Sequence, residues 1–522
     1  MKPRVLLVSA EAVPLTKTGG LADVTSALAV ALRAQQIDAS ILMPGYGPAQ
    51  DNAIGLRRIC ALRKLPGGDG QLLQGRLPDS DVPVLLLDTQ RFRRRRNNPY
   101  LGNDGLEHPD NALCYAAFAH AAAQICAGRT GLPIPHVVHC HDWHAALVPG
   151  LLKTLGINNV GSVLSIHNLA FQGNYPRALG EQLALPAVML ENGGMEFWGQ
   201  LSYLKAGIHY ADRIVTVSHS YAREILTPEF GCGMDGILNQ RCESLRAVAN
   251  GADTDSWNPT SDRLIPRCFR AEDLSGKSVC KSHLQKVFNL ADADDAFIVA
   301  IGSRMTHQKM ADVVVEALPQ MLEQNPRLQV AVLGCGETVH EDAFLRLAEE
   351  WPQRIGVHIG YDEQRAHWLH AGADALLHAS RFEPFGLTPI YSMRYGTVPI
   401  SSCVGGLRDT IFDVAQDNEG HPANGFLFDG DDAGSMVAAV QRAFNIFSAR
   451  PGRWHALQQT GMRSRFDWAN PAREYIAIYR DVAPEDVRDR FSGFPEKDEG
   501  SKVPCDSIPE ASKDWLSVLS LA

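Results

Sequence analysis

An α/β protein built from two Rossmann-like domains is what this sequence predicts, and three observations carry that expectation. Short apolar runs recur along the chain, each bounded by a polar or glycine-containing turn, as buried strands require. Helical spacing of apolar residues follows many of these turns. Strand and helix therefore alternate, through the first half and again through the second. At 522 residues the chain is also too long for one ordinary domain. Two domains with a cleft between them are the natural architecture.

Composition narrows the function classes. Apolar content of 45% and charged content of 21% describe a soluble globular chain. A net charge of −10 argues against a general nucleic-acid binder, and no apolar run reaches the length of a membrane span. The N-terminal M-K-P-R-V-L-L-V-S-A-E-A has too short an apolar core for a signal peptide, and Glu11 interrupts it, so it reads as a first strand. Eleven cysteines without a C-x-x-C pair suggest reduced thiols in a cytoplasm, not a disulfide framework or a zinc site.

In chain order, Arg4 to Ser9 is a buried strand. K-T-G-G-L-A-D-V, Lys17 to Val24, opens a helix in which Leu21, Val24, Leu28 and Ala31 recur at three and four residues. Its glycines, Gly20 among them, let backbone approach a ligand, and Lys17 is a loop-tip cation able to meet a diphosphate. Ala39 to Met43 is the second strand, and the Leu and Val runs up to Pro83 suggest more. R-F-R-R-R-R, Arg91 to Arg96, reads as a solvated loop ahead of a localisation or nucleic-acid patch. Val137 to Asp142 is another strand. His139 and His141 share one of its faces, but no third ligand follows, so a metal is not expected. Ser162 to Ile166 is a strand running into H-N-L-A-F-Q-G, and W-N-P at Trp257 to Pro259 marks a linker.

In the second half Phe297 to Ser303 is a strand. Arg304 and Lys309 follow it five residues apart, where both reach a phosphate pair, the one as a fork and the other as a point charge. Gln329 to Leu333 and Ile355 to Tyr361 are further strands. From Ala375 the unit is most explicit: strand A-L-L-H-A, the turn bearing Glu383, a helix opened by Gly386, strand Thr397 to Ser401, then Gly405 and Gly406 opening another helix. Helix N-termini attract phosphate, whereas a carboxylate accepts hydrogen bonds from hydroxyls. A sugar nucleotide supplies both groups.

R-F-E-P-F-G-L-T (381–388), R-Y-G-T-V-P-I (394–400) and G-G-L-R-D-T (405–410), with K-T-G-G-L and H-N-L-A-F-Q-G upstream, resemble the bacterial glycogen synthases and plant starch synthases. The resemblance runs from about Arg4 to about Asp481. It implies a GT-B fold, two Rossmann-like domains facing each other across a deep cleft: 1–252 on the acceptor side, 253–465 for the donor, and a helix at 466–485 crossing back. Residues 486–522 are expected to form a flexible tail. The resemblance further implies a retaining glucosyltransferase moving glucose from ADP-glucose to the non-reducing end of an α-1,4-glucan, without a cofactor or catalytic metal. It assigns His167, Glu383, Arg304, Lys309 and Asp142 to catalysis. It assigns Lys17, Gly20, Asn250, Tyr361, Gly405, Gly406 and Leu407 to the donor, and Asp23, Tyr100 and Asn168 to the sugar or acceptor.

The implied mechanism is a front-face substitution, because no carboxylate stands out as a nucleophile of the kind double displacement needs. The chain departs from the family pattern at Cys114 (usually Arg), Ala249, Met310 (usually Gly), Val404 (usually Thr) and Phe385 (usually Cys). The second position of the wider class's E-x₇-E is Tyr391. Two alternatives follow: a relative using UDP-glucose or another acceptor, or a glucan-binding protein impaired in catalysis.

Overall fold

The computed structural model describes residues 2–102, 105–190, 194–416, 420–491 and 501–503. They fall into two compact units, Met1–Val248 with Ala472–Ala522, and Ala249–Pro471. Among the described residues no helix is long and apolar enough to cross a membrane. Among the described residues nine cysteines are free thiols, while Cys242 is disulfide-bonded, a departure from the all-reduced expectation.

Unit 1 carries β1 (Arg4–Val8), β2 (Asp38–Pro44), β3 (Ile54–Leu62), β4 (Gly70–Arg76), β5 (Pro83–Asp88), β6 (Val137–His141), β7 (Gly161–Ile166), β8 (Asn174–Pro176), β9 (Glu196–Phe197), β10 (Gln200–Ser202), β11 (Arg213–Thr216) and β12 (Leu245–Ala247). Nine of these form one sheet in the order β12-β11-β7-β6-β1-β2-β5-β4-β3, and β8, β10 and β9 form a small separate one. The large sheet is parallel from β12 to β5, and β4 and β3 extend it antiparallel. Its central strands β1, β6 and β7 are buried along nearly their whole length, with the polar His139, His141, Ser162 and Ser165 buried among their apolar residues.

The expected flexible tail is partly ordered. Phe491 is fully buried, Ala247 N–H donates to the Ser501 carbonyl (2.8 Å), and Lys502 pairs antiparallel with Arg246. The physical reason is that β12 is an edge strand whose unpaired backbone groups take up a passing segment. Residues 492–500 and 504–522 of that tail lie outside the described ones.

Unit 2 carries β13 (Phe297–Gly302), β14 (Leu328–Gly334), β15 (Ile355–Ile359), β16 (Ala375–His378), β17 (Val398–Ser402) and β18 (Phe426–Phe428), paired in parallel in the order β15-β14-β13-β16-β17-β18. Alternate residues of β13 serve opposite faces. Phe297, Val299 and Ile301 join the core under helices Ala311–Gln324 and Ala433–Ala449. Ile298 and Ala300 pack with Leu284 and Leu369 of the helices opposite. Several helices have no counterpart in the sequence reading, among them Asn111–Cys126, Ser275–Val287, Thr338–Glu350, Glu363–Gly372 and Pro451–Arg463.

Candidate active site

In an open parallel α/β sheet, ligands bind outside the carboxyl ends of the strands, where the strand order reverses. In unit 2 the reversal lies between β13 and β16, and in unit 1 between β1 and β6. Each reversal point holds a cluster of polar side chains.

In unit 2, β13 leads to Arg304 and Lys309, and β16 leads to Ser380 and Glu383. The Lys309 ammonium pairs with Glu383 Oε2. The same oxygen lies 3.0 Å from His378 Nε2 and accepts from Ser380 Oγ at 3.0 Å, while Oε1 takes no hydrogen bond from the described residues. Burial raises the Glu383 pKa, but the Lys309 charge and His378 outweigh it and hold the carboxyl below its usual range. Burial and the neighbouring Lys309 push His378 down, so it is neutral. Arg304 is exposed, and its Nη2 donates to Gln308 Oε1 (3.1 Å), whose amide in turn reaches the Phe382 carbonyl (3.3 Å).

The glycine turn after β17 lies against the loop that carries Glu383. Gly406 N–H donates to the Glu383 carbonyl (3.0 Å) and Leu407 N–H to the Val404 carbonyl (3.1 Å), so neither amide is free. A Cβ at Gly406 would sit 2.4 Å from Phe385 Cα, and one at Gly386, whose φ is +93°, would sit 2.6 Å from the Leu407 side chain. Gly406 and Leu407 therefore hold the Glu383 loop in place by close backbone approach.

In unit 1, β1 runs into Glu11, whose carboxylate accepts from Thr18 N–H, Thr18 Oγ1 (2.6 Å) and the Tyr100 hydroxyl. Burial raises the Glu11 pKa against those hydrogen bonds. Glu11 thus ties the K-T-G-G loop to Tyr100. Gly20 starts helix Gly20–Ala34, and Lys17 pairs with Asp23 at 2.9 Å. That pair is partly solvated and weak, so an incoming anion displaces it at little cost.

The strand expected to reach Asp142 ends at His141. Asp142 opens the next helix with φ +55°, a left-handed conformation uncommon for aspartate. Its Oδ1 accepts from His167 N–H (2.7 Å) and Asn168 N–H (3.4 Å). Burial raises the Asp142 pKa to about 7, against those two amides. His141 Nδ1 lies 2.9 Å from His167 Nε2, and burial lowers His167 to about 4, so the imidazole is neutral. His139 bonds Tyr479 Oη (2.8 Å) and Ser165 Oγ (2.7 Å), and His144 stacks on Tyr100 at 4.7 Å. His141 Nε2 and His144 Nδ1 are buried without a hydrogen-bond partner, and no group of three or more residues placed to hold a metal ion occurs among the described ones.

Two site residues stand apart from these clusters. Tyr361 lies beyond β15, which ends at Ile359, and is 70% exposed, which excludes a core role. Asn250 is buried with its Oδ1 unpartnered, and it belongs to unit 2.

Residues 4–240 match the starch synthase catalytic domain family, and residues 284–448 match glycosyl transferases group 1. A glycogen synthase of Ralstonia nicotianae is 51% identical over 485 residues, covering 93% of this chain and 89% of the relative. The chain belongs to the glycogen synthase family. A second member, from Bordetella petrii, is 45% identical, covering 93% of this chain and 94% of its own. The catalytic domain of starch synthase IV from Arabidopsis thaliana, bound to ADP and acarbose, superposes with a TM-score of 0.84 at 27% identity, over 92% of this chain and 99% of the domain. The fold is accordingly GT-B.

Three of the departures, Met310, Cys114 and Tyr391, have local explanations. Met310 keeps the left-handed backbone that glycine usually supplies, at φ +50°, and its side chain is fully buried with the sulfur accepting from Ser402 Oγ (3.7 Å). Cys114 lies against Arg95, whose Nη2 donates to its sulfur at 3.3 Å. Tyr391 stacks on Trp257 at 4.3 Å and is buried, so it is part of the packing around that ring. Sequence reasoning missed Glu11, His378 and Ser380 as site residues. The available signal was position, since each sits at or just after the end of a central strand.

Proposed function

We propose that the chain transfers glucose from ADP-glucose to the non-reducing end of an α-1,4-glucan with retention of configuration. The observation that carries this reading is the Lys309–Glu383 cluster at the unit 2 reversal point, with Arg304 on the same loop. Cations there suit a diphosphate, and a carboxylate with one unengaged oxygen suits sugar hydroxyls. The similar starch synthase IV domain is bound to ADP and acarbose, which supports an adenine nucleotide and a glucan-like acceptor.

In this reading Arg304 and Lys309 take the diphosphate, and Lys17 adds a third cation. Neutralising the leaving group supplies most of the rate, because charge develops there in the transition state. The leaving phosphate oxygen deprotonates the attacking hydroxyl on the same face as the breaking bond. A neutral His167 sits beside the sugar without opposing its developing positive charge. Asp142 positions the His167 loop, Tyr361 stacks on the base, Asn250 serves the donor, and Asp23, Tyr100 and Asn168 line the sugar or acceptor side. Unit 1 binds the acceptor and unit 2 the donor. The free thiols among the described residues suit a reducing cytoplasm, although Cys242 is disulfide-bonded.

The test is transfer of labelled glucose to glycogen from ADP-glucose and UDP-glucose in parallel, with Arg304→Ala as control because Arg304 is exposed. Proton NMR of the product reads the anomeric configuration. ADP-glucose activity with α-linked product, lost in the control, supports the proposal. Preference for UDP-glucose overturns the donor assignment, a β-linked product overturns retention, and no transfer from either donor overturns the enzyme reading.

A further inference from the structure

The arginine run of unit 1 has no part in the reading above. Phe92 and Arg95 turn inward, and Arg91, Arg93, Arg94 and Arg96 stay exposed. Nearly every one is matched to an acid. Arg93 pairs with Asp88, Arg96 with Asp51, and Arg91 and Arg95 share Asp110 at 3.0 and 2.6 Å. Arg95 is almost fully buried and also donates to the Pro99 carbonyl (2.7 Å) and Asn111 Oδ1 (2.8 Å), so it is a fixed wall. The Arg94 side chain alone has no partner among the described residues.

Arg91, Arg94 and Arg95 line a cavity of about 460 Å³, with Asp69, Asp110 and His108 among the other lining groups. That volume is in the range of small-molecule sites. Gly67 forms part of its floor. Its φ is +75°, and a Cβ there would meet Arg91 Nε at 3.2 Å, so the guanidinium rests directly on the turn. One carboxylate, Asp110, faces two guanidiniums, Asp69 is matched by Arg63 at 2.5 Å, and Arg94 is uncompensated. The cavity therefore carries excess positive charge while still presenting carboxylate oxygens.

We propose that this cavity is a binding site for a hexose monophosphate, separate from the strand-end clusters. Arg94 and Arg91 would hold the phosphoryl group, since guanidinium forks match its oxygens in pairs. Asp69 and Asp110 would accept from sugar hydroxyls. A nucleic-acid backbone is a poorer match, because those carboxylates repel a chain of phosphates and the site is a pocket, not a stripe.

Isothermal titration calorimetry on the full chain tests this, with glucose 1-phosphate, inorganic phosphate and glucose as probes. Saturating ADP is present throughout to occupy the proposed donor site. The expected result is one glucose 1-phosphate bound per chain, at least tenfold more tightly than phosphate or glucose. Arg94→Ala should weaken it at least tenfold with an unchanged melting temperature, and Lys309→Ala should leave it unaltered. Binding that Arg94→Ala does not change, or that Lys309→Ala abolishes, overturns the site. Equal affinity for inorganic phosphate overturns the hexose, and absence of binding overturns both.

Discussion

Removing the Glu383 carboxylate should destabilise unit 2 as well as stop the chemistry, and the two losses are separable. Glu383 and Lys309 side chains are each 11% exposed. Glu383→Ala leaves a buried ammonium whose remaining contact is His378 Nε2 at 3.4 Å. Breaking a buried ion pair from one side costs about 3–5 kcal/mol, largely because the surviving charge is left uncompensated. For a unit the size of Ala249–Pro471, each kcal/mol shifts the midpoint by about 2–4 °C, so a fall of roughly 6–20 °C is expected.

Lys309→Ala with Glu383→Ala removes both charges and should recover part of that loss, which differential scanning calorimetry measures directly. The pH dependence has a definite sign. The folded Glu383 carboxyl titrates below its unfolded value of about 4.3, so the pair's stabilisation is full above that value and fades as pH falls through the folded one. Glucosyl transfer assayed well below the variant's melting point then isolates the chemical loss. A Glu383→Ala midpoint within about 1 °C of the parent, or a double variant no more stable than the single, would refute the argument that this pair is buried and mutually dependent.

Three further outcomes are expected. Met310→Gly relieves a left-handed backbone worth about 1–2 kcal/mol but deletes a buried side chain worth about 2–5, so urea unfolding should show no gain and a net loss of up to about 4 kcal/mol, contrary to what family preference suggests. Burial holds the fully buried His139 neutral down to about pH 3, and so the folded state binds fewer protons than the unfolded one; acid melts should show stability falling as pH drops from about 6.5, by roughly 1.4 kcal/mol per pH unit for this group. Tyr361→Ala should raise the KM for nucleotide sugar several-fold through loss of base stacking, leaving the melting temperature unchanged because the ring is exposed, and Tyr361→Phe should behave as the parent.

The strand and helix units of both halves were readable because their apolar runs are short and sharply bounded by glycine or polar turns. Arg4 to Ser9, Phe297 to Ser303 and Ala375 to Ala379 all appear within a residue or two of their expected ends. Strands β3 and β4 were less visible because β3 is largely solvated and lacks an apolar run. Loop residues such as Lys309 and Glu383 were legible by type. Their mutual pairing was not, since they are 74 residues apart and only the fold brings them together. The Tyr100 bond to Glu11 spans 89 residues for the same reason. Met310 stands where the family usually has Gly, and with its side chain buried it still takes a left-handed backbone.

Asp142 accepts both backbone amides that follow β7, and His141 meets His167 side chain to side chain. Two strand ends are stitched by three contacts, one of which depends on a left-handed aspartate. These loops therefore cannot drift independently over evolutionary time. A replacement at 141 or 142 displaces the 167–168 backbone, so any tolerated change must arrive with a compensating one. In a deep mutational scan, positions 141, 142, 167 and 168 should behave as one epistatic block. New acceptor specificities in such a chain would then arise from the surrounding loops, with this block inherited whole.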